Sequence, residues 1–464
     1  MGGGCGGGVG VHHDSHRLSV APMLDCTDTH FRRLCRLLSK RVHLWTEMVN
    51  QDAVIHSHKT NPGLCGFGDE EHPITVQLGG SSPGRLARAA EICDAEYGYD
   101  EINLNCGCPS ARVVAKKDAD KCFGASLMRD PELVGECLRR MREAVDVPVT
   151  IKHRLGVRKS ERSPDDSHDS YDFISRFVER VHELSGVKHF IVHARAAILG
   201  GLSPAANRLI PPLRYDEVHL LADDFPTLGF TLNGGVESLD DAEAHLSSGR
   251  LKGVMMGRAI YRSPTILAEA DARIYGEEPR RWATAADAAG GIDGWAARDR
   301  DRDDVRLTLP AAYESTRLST LCATRGEVLE RYAVYGDSVL RAHLDKLAKH
   351  PKALGLPRAL LKATHGVVFG AMGGAAFRKA VEIELATWSE RLLAGEPAGA
   401  LRFTDLMRAC AGRVHGSDLY ADVRARVGRG VVKEWAPEKS EDAASDVGEE
   451  SGATDGCRCV EADV

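Results

Sequence analysis

Between residues 18 and 257 short apolar runs alternate with longer stretches whose apolar residues recur at helical spacing. Eight of the short runs read as strands, at 18–21, 42–46, 74–78, 101–105, 149–152, 189–193, 229–233 and 253–257. Eight strands with crossover helices in about 250 residues predict an α/β fold of the TIM (β/α)8 barrel type, with a doubly wound sheet as the alternative. The polar insertion at 157–169 reads as a surface loop. From 271 the alternation fails, and the mixed-charge run at 298–304 reads as a solvated linker. Apolar residues return at helical spacing after Arg325, punctuated by Pro351, Pro357 and Gly373/Gly374, which predicts a small C-terminal helical bundle. The expected organisation is a Gly-rich flexible tail (1–17), a barrel (18–270), a linker (271–324), a helical domain (325–432) and a disordered acidic tail (433–464).

Composition adds little to this picture but excludes several classes. Of 464 residues, 43% are apolar and 27% charged, and no apolar run is long enough to span a bilayer. The N-terminus lacks the pattern of a secretory signal or a transit peptide, and Gly6 breaks the myristoylation motif. The opening MGGGCGGG follows no strand and is no dinucleotide fingerprint. Thirteen cysteines without CxxC pairs or zinc-type spacing point to a reduced, intracellular protein, and a cytoplasmic location is expected. The net charge of -7 belongs to residues 438–464, so the remainder is neutral. Residues 341–379 hold eight Lys/Arg against the single acid Asp345. Such a cluster is either a solvated helix face or a surface for phosphates.

Chemistry in a barrel sits where each strand ends. The closing residues are Pro22 and Met23, Gln77, Asn105, Lys152, His193, Asn233 with Gly234 and Gly235, and Gly257 with Arg258. An amide, an ammonium and an imidazole suit the carbonyl-rich edge of a flavin, and the two glycine-rich loops with Arg258 suit its phosphate. After the fourth strand, Cys108 stands between Gly107 and Pro109 in a turn that would project its thiol. Alone, each of these residues has a structural reading, as a core histidine or a loop cysteine. Their shared rim makes that coincidence improbable.

The segments SVAPMLDCTDTHFRRLCRLLS, EEHPITVQLGGS, GYDEINLNCGCPS, PVTIKHRLGV, FIVHARAAILGGLSPAANRLIPPLRYDEV and GVMMGRAIYRSP resemble the tRNA-dihydrouridine synthase family, within it the bacterial branch that modifies positions 20 and 20a. The resemblance covers residues 18–264 and continues more faintly at 365–369 and 377–379. It implies an FMN-binding barrel, with the flavin held by Pro22, Met23, Leu24, Gln77, Lys152, His193, Asn233, Gly234, Gly235, Gly257 and Arg258. Cys108 would be the catalytic acid, Asn105 would lie against the substrate uridine, and Arg195 and Arg208 near the tRNA, with Arg378 and Lys379 on the helical domain. NADPH or NADH would donate the electrons, and no obligate protein partner or metal is implied. The chain departs from the branch at Ala196, Ala205 and Ala375, where basic residues that position tRNA are expected.

Reducing the C5=C6 bond of uracil takes a hydride at C6 and a proton at C5. A free thiol, with a pKa of about 8.5, is mostly protonated near neutral pH and can serve as the acid. A thiolate would not serve, which predicts that Cys108 has no strong cationic partner. The segment 111–123, with Lys116, Lys117 and Lys121, reads as a mobile lid. Two other functions compete: an FMN barrel acting on a free small molecule such as dihydroorotate or a dihydropyrimidine, and an RNA-binding chaperone that has lost its chemistry.

Overall fold

Alternation along the chain becomes a closed ring of eight parallel strands: β1 (Leu18–Val20), β2 (Leu44–Asn50), β3 (Ile74–Gly79), β4 (Glu101–Cys106), β5 (Val149–Arg154), β6 (His189–His193), β7 (Gly229–Asn233) and β8 (Gly253–Met256). A computed structural model describes residues 15–110, 123–160, 168–277, 324–349 and 354–419. Pairing runs in chain order from β2 to β8, and β8 returns to β1. The last seam closes at a Ser19–His43 bridge, where Val20 N donates to His43 O at 2.9 Å and His43 N to Leu18 O at 3.0 Å. The second strand lies later than its apolar run, because a register shift between Trp45 and Met48 carries the pairing with β3 on to Asn50.

Nine helices lie in the described part of the barrel: α1 (Thr29–Arg36), α2 (Gln51–Ser57), α3 (Pro83–Ile92), α4 (Pro131–Ala144), α5 (Tyr171–Ser185), α6 (Tyr215–Asp224), α7 (Leu239–Leu246), α8 (Arg258–Arg262) and α9 (Ala270–Tyr275). Several start where the sequence supplies a side-chain cap. Asp28 accepts from Phe31 N, Asp130 from Leu133 N and Ser170 from Phe173 N, while Ser238 and Asp241 cap each other's backbone N–H groups.

The strand period of two sorts side chains to two faces. Ile102, Leu104, Phe190, Val192, Phe230 and Leu232 join the helices in one continuous core. Ala21, Trp45, Ile191 and Met255 form a separate cluster within the ring, with Met23 packed on it. Polar residues alternate along the neighbouring strands: Thr75 and Gln77 on β3, Glu101, Asn103 and Asn105 on β4, and Thr150, Lys152 and Arg154 on β5.

Three expected boundaries move. The barrel begins within the expected tail, since Ser15–Arg17 form a turn in which His16 is buried. It also runs past 270. Asp271 is buried and accepts from Ser39 Oγ and Lys40 N, and Tyr275 Oη accepts from Leu18 N at 3.1 Å and donates to Ser15 O at 2.9 Å. In the insertion, Val157–Arg158 pair in parallel with Ala197–Ile198 instead of forming loop. The rest of the linker and the acidic tail lie outside the described residues.

The C-terminal helices are α10 (Arg325–Arg341), α11 (Leu344–Lys349), α12 (Gly355–Thr364), α13 (Gly374–Leu393), α14 (Phe403–Ala411) and α15 (Gly416–Leu419). They enclose Tyr332, Phe377, Trp388 and Phe403. Gly336 has to be a glycine, because any Cβ there would overlap the Phe403 ring where α10 meets α14. This bundle rests on the rim at the β1 and β8 ends. Lys362 Nζ donates to Asp25 O, Gly366 packs on Pro264 and Tyr261, the Arg262 guanidinium lies 5.6 Å from the centre of the Phe369 ring, and His30 Nδ1 pairs with Tyr335 Oη at 2.9 Å. No described helix is long and apolar enough to cross a membrane.

Candidate active site

Cys108 is positioned by a chain of hydrogen bonds that crosses the barrel. Asn105 Oδ1, at the end of β4, accepts from Gly107 N at 3.1 Å and Cys108 N at 3.0 Å. Asn105 Nδ2 donates to Gln77 Oε1 at 2.7 Å, Gln77 Nε2 to Asn103 Oδ1 at 2.9 Å, Asn103 Nδ2 to Thr150 Oγ1 at 2.9 Å, and Thr150 Oγ1 to Glu101 Oε1 at 2.8 Å. Two backbone N–H groups can only donate, so they set the direction of the Asn105 amide and, through it, that of Gln77. The Cys108 carbonyl is held in turn by Ala125 N at 2.9 Å. Cys106 faces the other way. It is wholly buried, and burial raises its thiol far above the ordinary range, so of the two neighbouring thiols only Cys108 is available at the rim.

Around this turn the rim is cationic. Burial brings Lys152 down to about 7, with Arg154 lowering it further and Cys108 opposing. Its Nζ donates to Asn233 Oδ1 at 2.9 Å, and Asn233 Nδ2 is anchored on Met255 O at 2.8 Å. Arg154, buried and brought to about 9 by burial, binds Gly107 O at 3.1 Å and the carbonyls of Ala196 and Asn207. Burial, aided by Arg154 and Lys152, holds His193 well below its ordinary value, so the imidazole is neutral and donates through one nitrogen only. Arg258 is lowered by burial and then by Arg208 and Arg195, so the three guanidiniums share one region. Arg195 binds the carbonyls of Leu209 and Pro211.

A flavin mononucleotide needs donors along one ring edge and an anion site, and these residues fit it. The site presents Lys152, a neutral His193 and the Arg258 cluster. Gly234 and Gly235 have φ of 109° and 72°, and a Cβ at Gly235 would lie 2.5 Å from Leu213 Cδ1 and 2.7 Å from Tyr215 Oη. A Cβ at Gly257 would sit 3.3 Å from both Ala21 and Met23. The loop backbone can therefore be approached closely only because side chains are missing. Pro22 and Met23 are half-buried at the β1 end, and Leu24 projects into solvent.

All the rim residues expected from the sequence lie at the strand ends, whereas Arg378 and Lys379 are exposed on α13. Asn105 commits its oxygen to the cysteine turn and one N–H to Gln77, which leaves one N–H for a ligand. Cys108 is expected from the sequence to lack a strong cationic partner; β5 brings Lys152 and Arg154 within its electrostatic reach, while their side-chain bonds go to Asn233 and to the carbonyls of Gly107, Ala196 and Asn207. Sequence reasoning missed Arg154, Asn103 and Thr150. Their signal is the period of two, which places Arg154 on the same face as Lys152 and Asn103 on that of Asn105. It also missed Asn207, which is fully buried and bonds both Ile198 N and Ile198 O, folding the loop that carries Arg208. The expected lid, including Lys116, Lys117 and Lys121, lies outside the described residues except for Phe123.

The chain is similar to known proteins over 264 residues. It is 48% identical over 264 residues to a tRNA-dihydrouridine(20/20a) synthase of Vibrio cholerae, covering 57% of this chain and 75% of that one. It is 47% identical over 264 residues to the enzyme of the same name from Escherichia coli K12, covering 57% and 71%. Residues 19–292 match the model of the family described as dihydrouridine synthase, whose members depend on a flavin, and the chain belongs to that family.

Proposed function

We propose that this protein reduces the C5=C6 bond of uridine at positions 20 and 20a of the tRNA D-loop to 5,6-dihydrouridine, with NADPH as the electron donor. The observation that carries this reading is Cys108, presented by the amide row on the same rim as Lys152, His193 and Arg258. Reduced FMN, when bound, supplies the hydride for C6. Gln77, Lys152, His193 and Asn233 would hold its ring edge, the rim apolar residues Pro22, Met23 and Leu24 its ring, and Gly234, Gly235, Gly257 and Arg258 its phosphate.

The Cys108 thiol gives its proton to C5 and is reprotonated from solvent. Hydride plus proton completes the saturation. The negative charge left on sulfur falls within electrostatic reach of Lys152 and of Arg154, which the sequence reading did not foresee, and both assist the acid. A neutral His193 can donate to a carbonyl of the flavin or the uracil without taking up a second buried charge. The base must leave its stack to reach this rim site, and Arg195, Arg208, Arg378 and Lys379 would hold the surrounding phosphates. The bundle on the β1 and β8 side of the rim supports a macromolecular substrate. Exposed Ala205 and Ala375 replace cations expected in the branch, so the remaining arginines carry more of that contact.

The test is dihydrouridine mapped by mass spectrometry in unmodified tRNA incubated with the flavin-loaded protein and NADPH, beside Cys108→Ala. Dihydrouridine at 20 and 20a, lost in the variant, is expected. Turnover of free uracil or orotate with untouched tRNA would replace this reading with that of a small-molecule flavoenzyme.

A further inference from the structure

The barrel floor, at the end away from Cys108, carries a second constellation. His16, Glu101 and His189 are buried together, and one ligand-type atom from each lies within 4.8 Å of the others. His16 Nε2 is 2.9 Å from Glu101 Oε2, and the His16 ring meets that of His189 edge-on with centroids 4.7 Å apart. His43 stacks on His16 at 4.2 Å.

Each of these side chains is oriented from behind. Glu101 Oε1 accepts from Thr150 Oγ1 at 2.8 Å and Thr75 Oγ1 at 3.3 Å, which leaves Oε2 facing the histidines. His189 Nε2 is bonded to Thr231 Oγ1 at 2.8 Å, and its Nδ1, though buried, has no hydrogen-bond partner. The Nδ1 of His16 likewise has none. Hydroxyls that orient a histidine ring and a carboxylate are the outer-shell pattern of a metal site, and a buried imidazole nitrogen without a partner can offer its lone pair to a cation. A cavity of about 380 Å³ adjoins the cluster and is lined also by His43, Arg142 and Lys252. Burial lowers Lys252, against the pull of Glu101.

We propose that His16, Glu101 and His189 bind a divalent transition-metal ion of the zinc class at the floor of the barrel. Two imidazoles and one carboxylate form a borderline-soft set suited to tetrahedral Zn²⁺, with the fourth position open to the cavity. Arg142 and Lys252 line that cavity and favour an anionic exogenous ligand in the fourth position. Nothing in the rim chemistry requires this ion, and the row from Glu101 through Thr150 to Asn105 is the route by which it would stiffen the cysteine turn.

The test uses the full chain, stripped with a chelator and titrated with Zn²⁺ and with Co²⁺. One equivalent per chain is expected, with the visible Co²⁺ spectrum of a tetrahedral site and Zn–N distances of about 2.0–2.1 Å by X-ray absorption. His16→Ala and His189→Ala should abolish stoichiometric binding, and Thr231→Val, which removes only the partner of His189, should weaken it about 10–100-fold. Replacing His12 and His13 by Ala should change nothing. The wild-type Co²⁺ spectrum needs no variant to fold. Its absence, or binding that survives the loss of His189 but not of His12 and His13, would overturn the assignment and leave a His16–Glu101 contact alone.

Discussion

Asn103 is the residue on which the amide row can be tested without touching a ligand. It is fully buried in mid-strand, and its side chain bonds Gln77 and Thr150 on the neighbouring strands. Asn103→Leu keeps the volume but leaves Gln77 Nε2 without its acceptor, at a cost of about 1–3 kcal/mol for a buried polar atom. Thr150 loses less, since its proton still goes to Glu101. The added apolar burial returns roughly 1 kcal/mol. The balance is a destabilisation of about 1–2 kcal/mol, or roughly 2–8 °C in Tm for a barrel of this size. The more telling assay is a double-mutant cycle with Asn105→Ala, followed by thermal unfolding and by dihydrouridine formation. If the row acts as one unit, the two changes couple by at least about 0.5 kcal/mol, and both lower activity beyond their effect on Tm. Strict additivity, with full activity in Asn103→Leu, would refute the claim that the row positions Cys108.

Three further outcomes follow from the geometry. Lys152 is held at about 7, below its ordinary 10.5, so the unfolded chain binds more protons between those values and the ligand-free protein gains stability as pH rises from about 7. An anionic partner should raise that value, so FMN binding at pH 8 should take up a fraction of a proton, visible as buffer-dependent heats in calorimetry. The uptake and the pH trend should both disappear in Lys152→Met; an unchanged buffer dependence would mean that Lys152 does not face the flavin. Gly235→Ala, which forces a Cβ against Leu213 and Tyr215, should cost about 1–3 kcal/mol more than Gly249→Ala, where φ is similar but nothing lies within 4 Å. Only the former should release flavin, and equal Tm losses would contradict the packing argument. Replacing Arg378 and Lys379 by Ala should weaken tRNA binding and reduce its salt slope by about 1–2, whereas an unaltered slope would remove α13 from the interface.

The alternation of short and long apolar runs determined the eight strands, their parallel order and the bundle that follows, because a period of two or of 3.6 is a property of local sequence. The strand-closing residues were legible for the same reason: once the barrel is recognised, position in a strand is position on the rim. Helix starts were written locally too, in Asp28, Asp130, Ser170 and Ser238. What the sequence by itself could not decide was company. Lys152, His153 and Arg154 are consecutive in the chain, yet the strand turns Lys152 and Arg154 towards the site while His153 packs between Phe177 and Phe190. Arg154 reaches Gly107 47 residues away, and Asp271 closes on Ser39 across 232. His16 looked like the end of a tail until the ring closed around it beside Glu101 and His189. Electrostatics and hydrogen bonding depend on distance through space, and in a closed barrel the nearest partners of a side chain come from adjacent strands, which the chain separates by a whole helix.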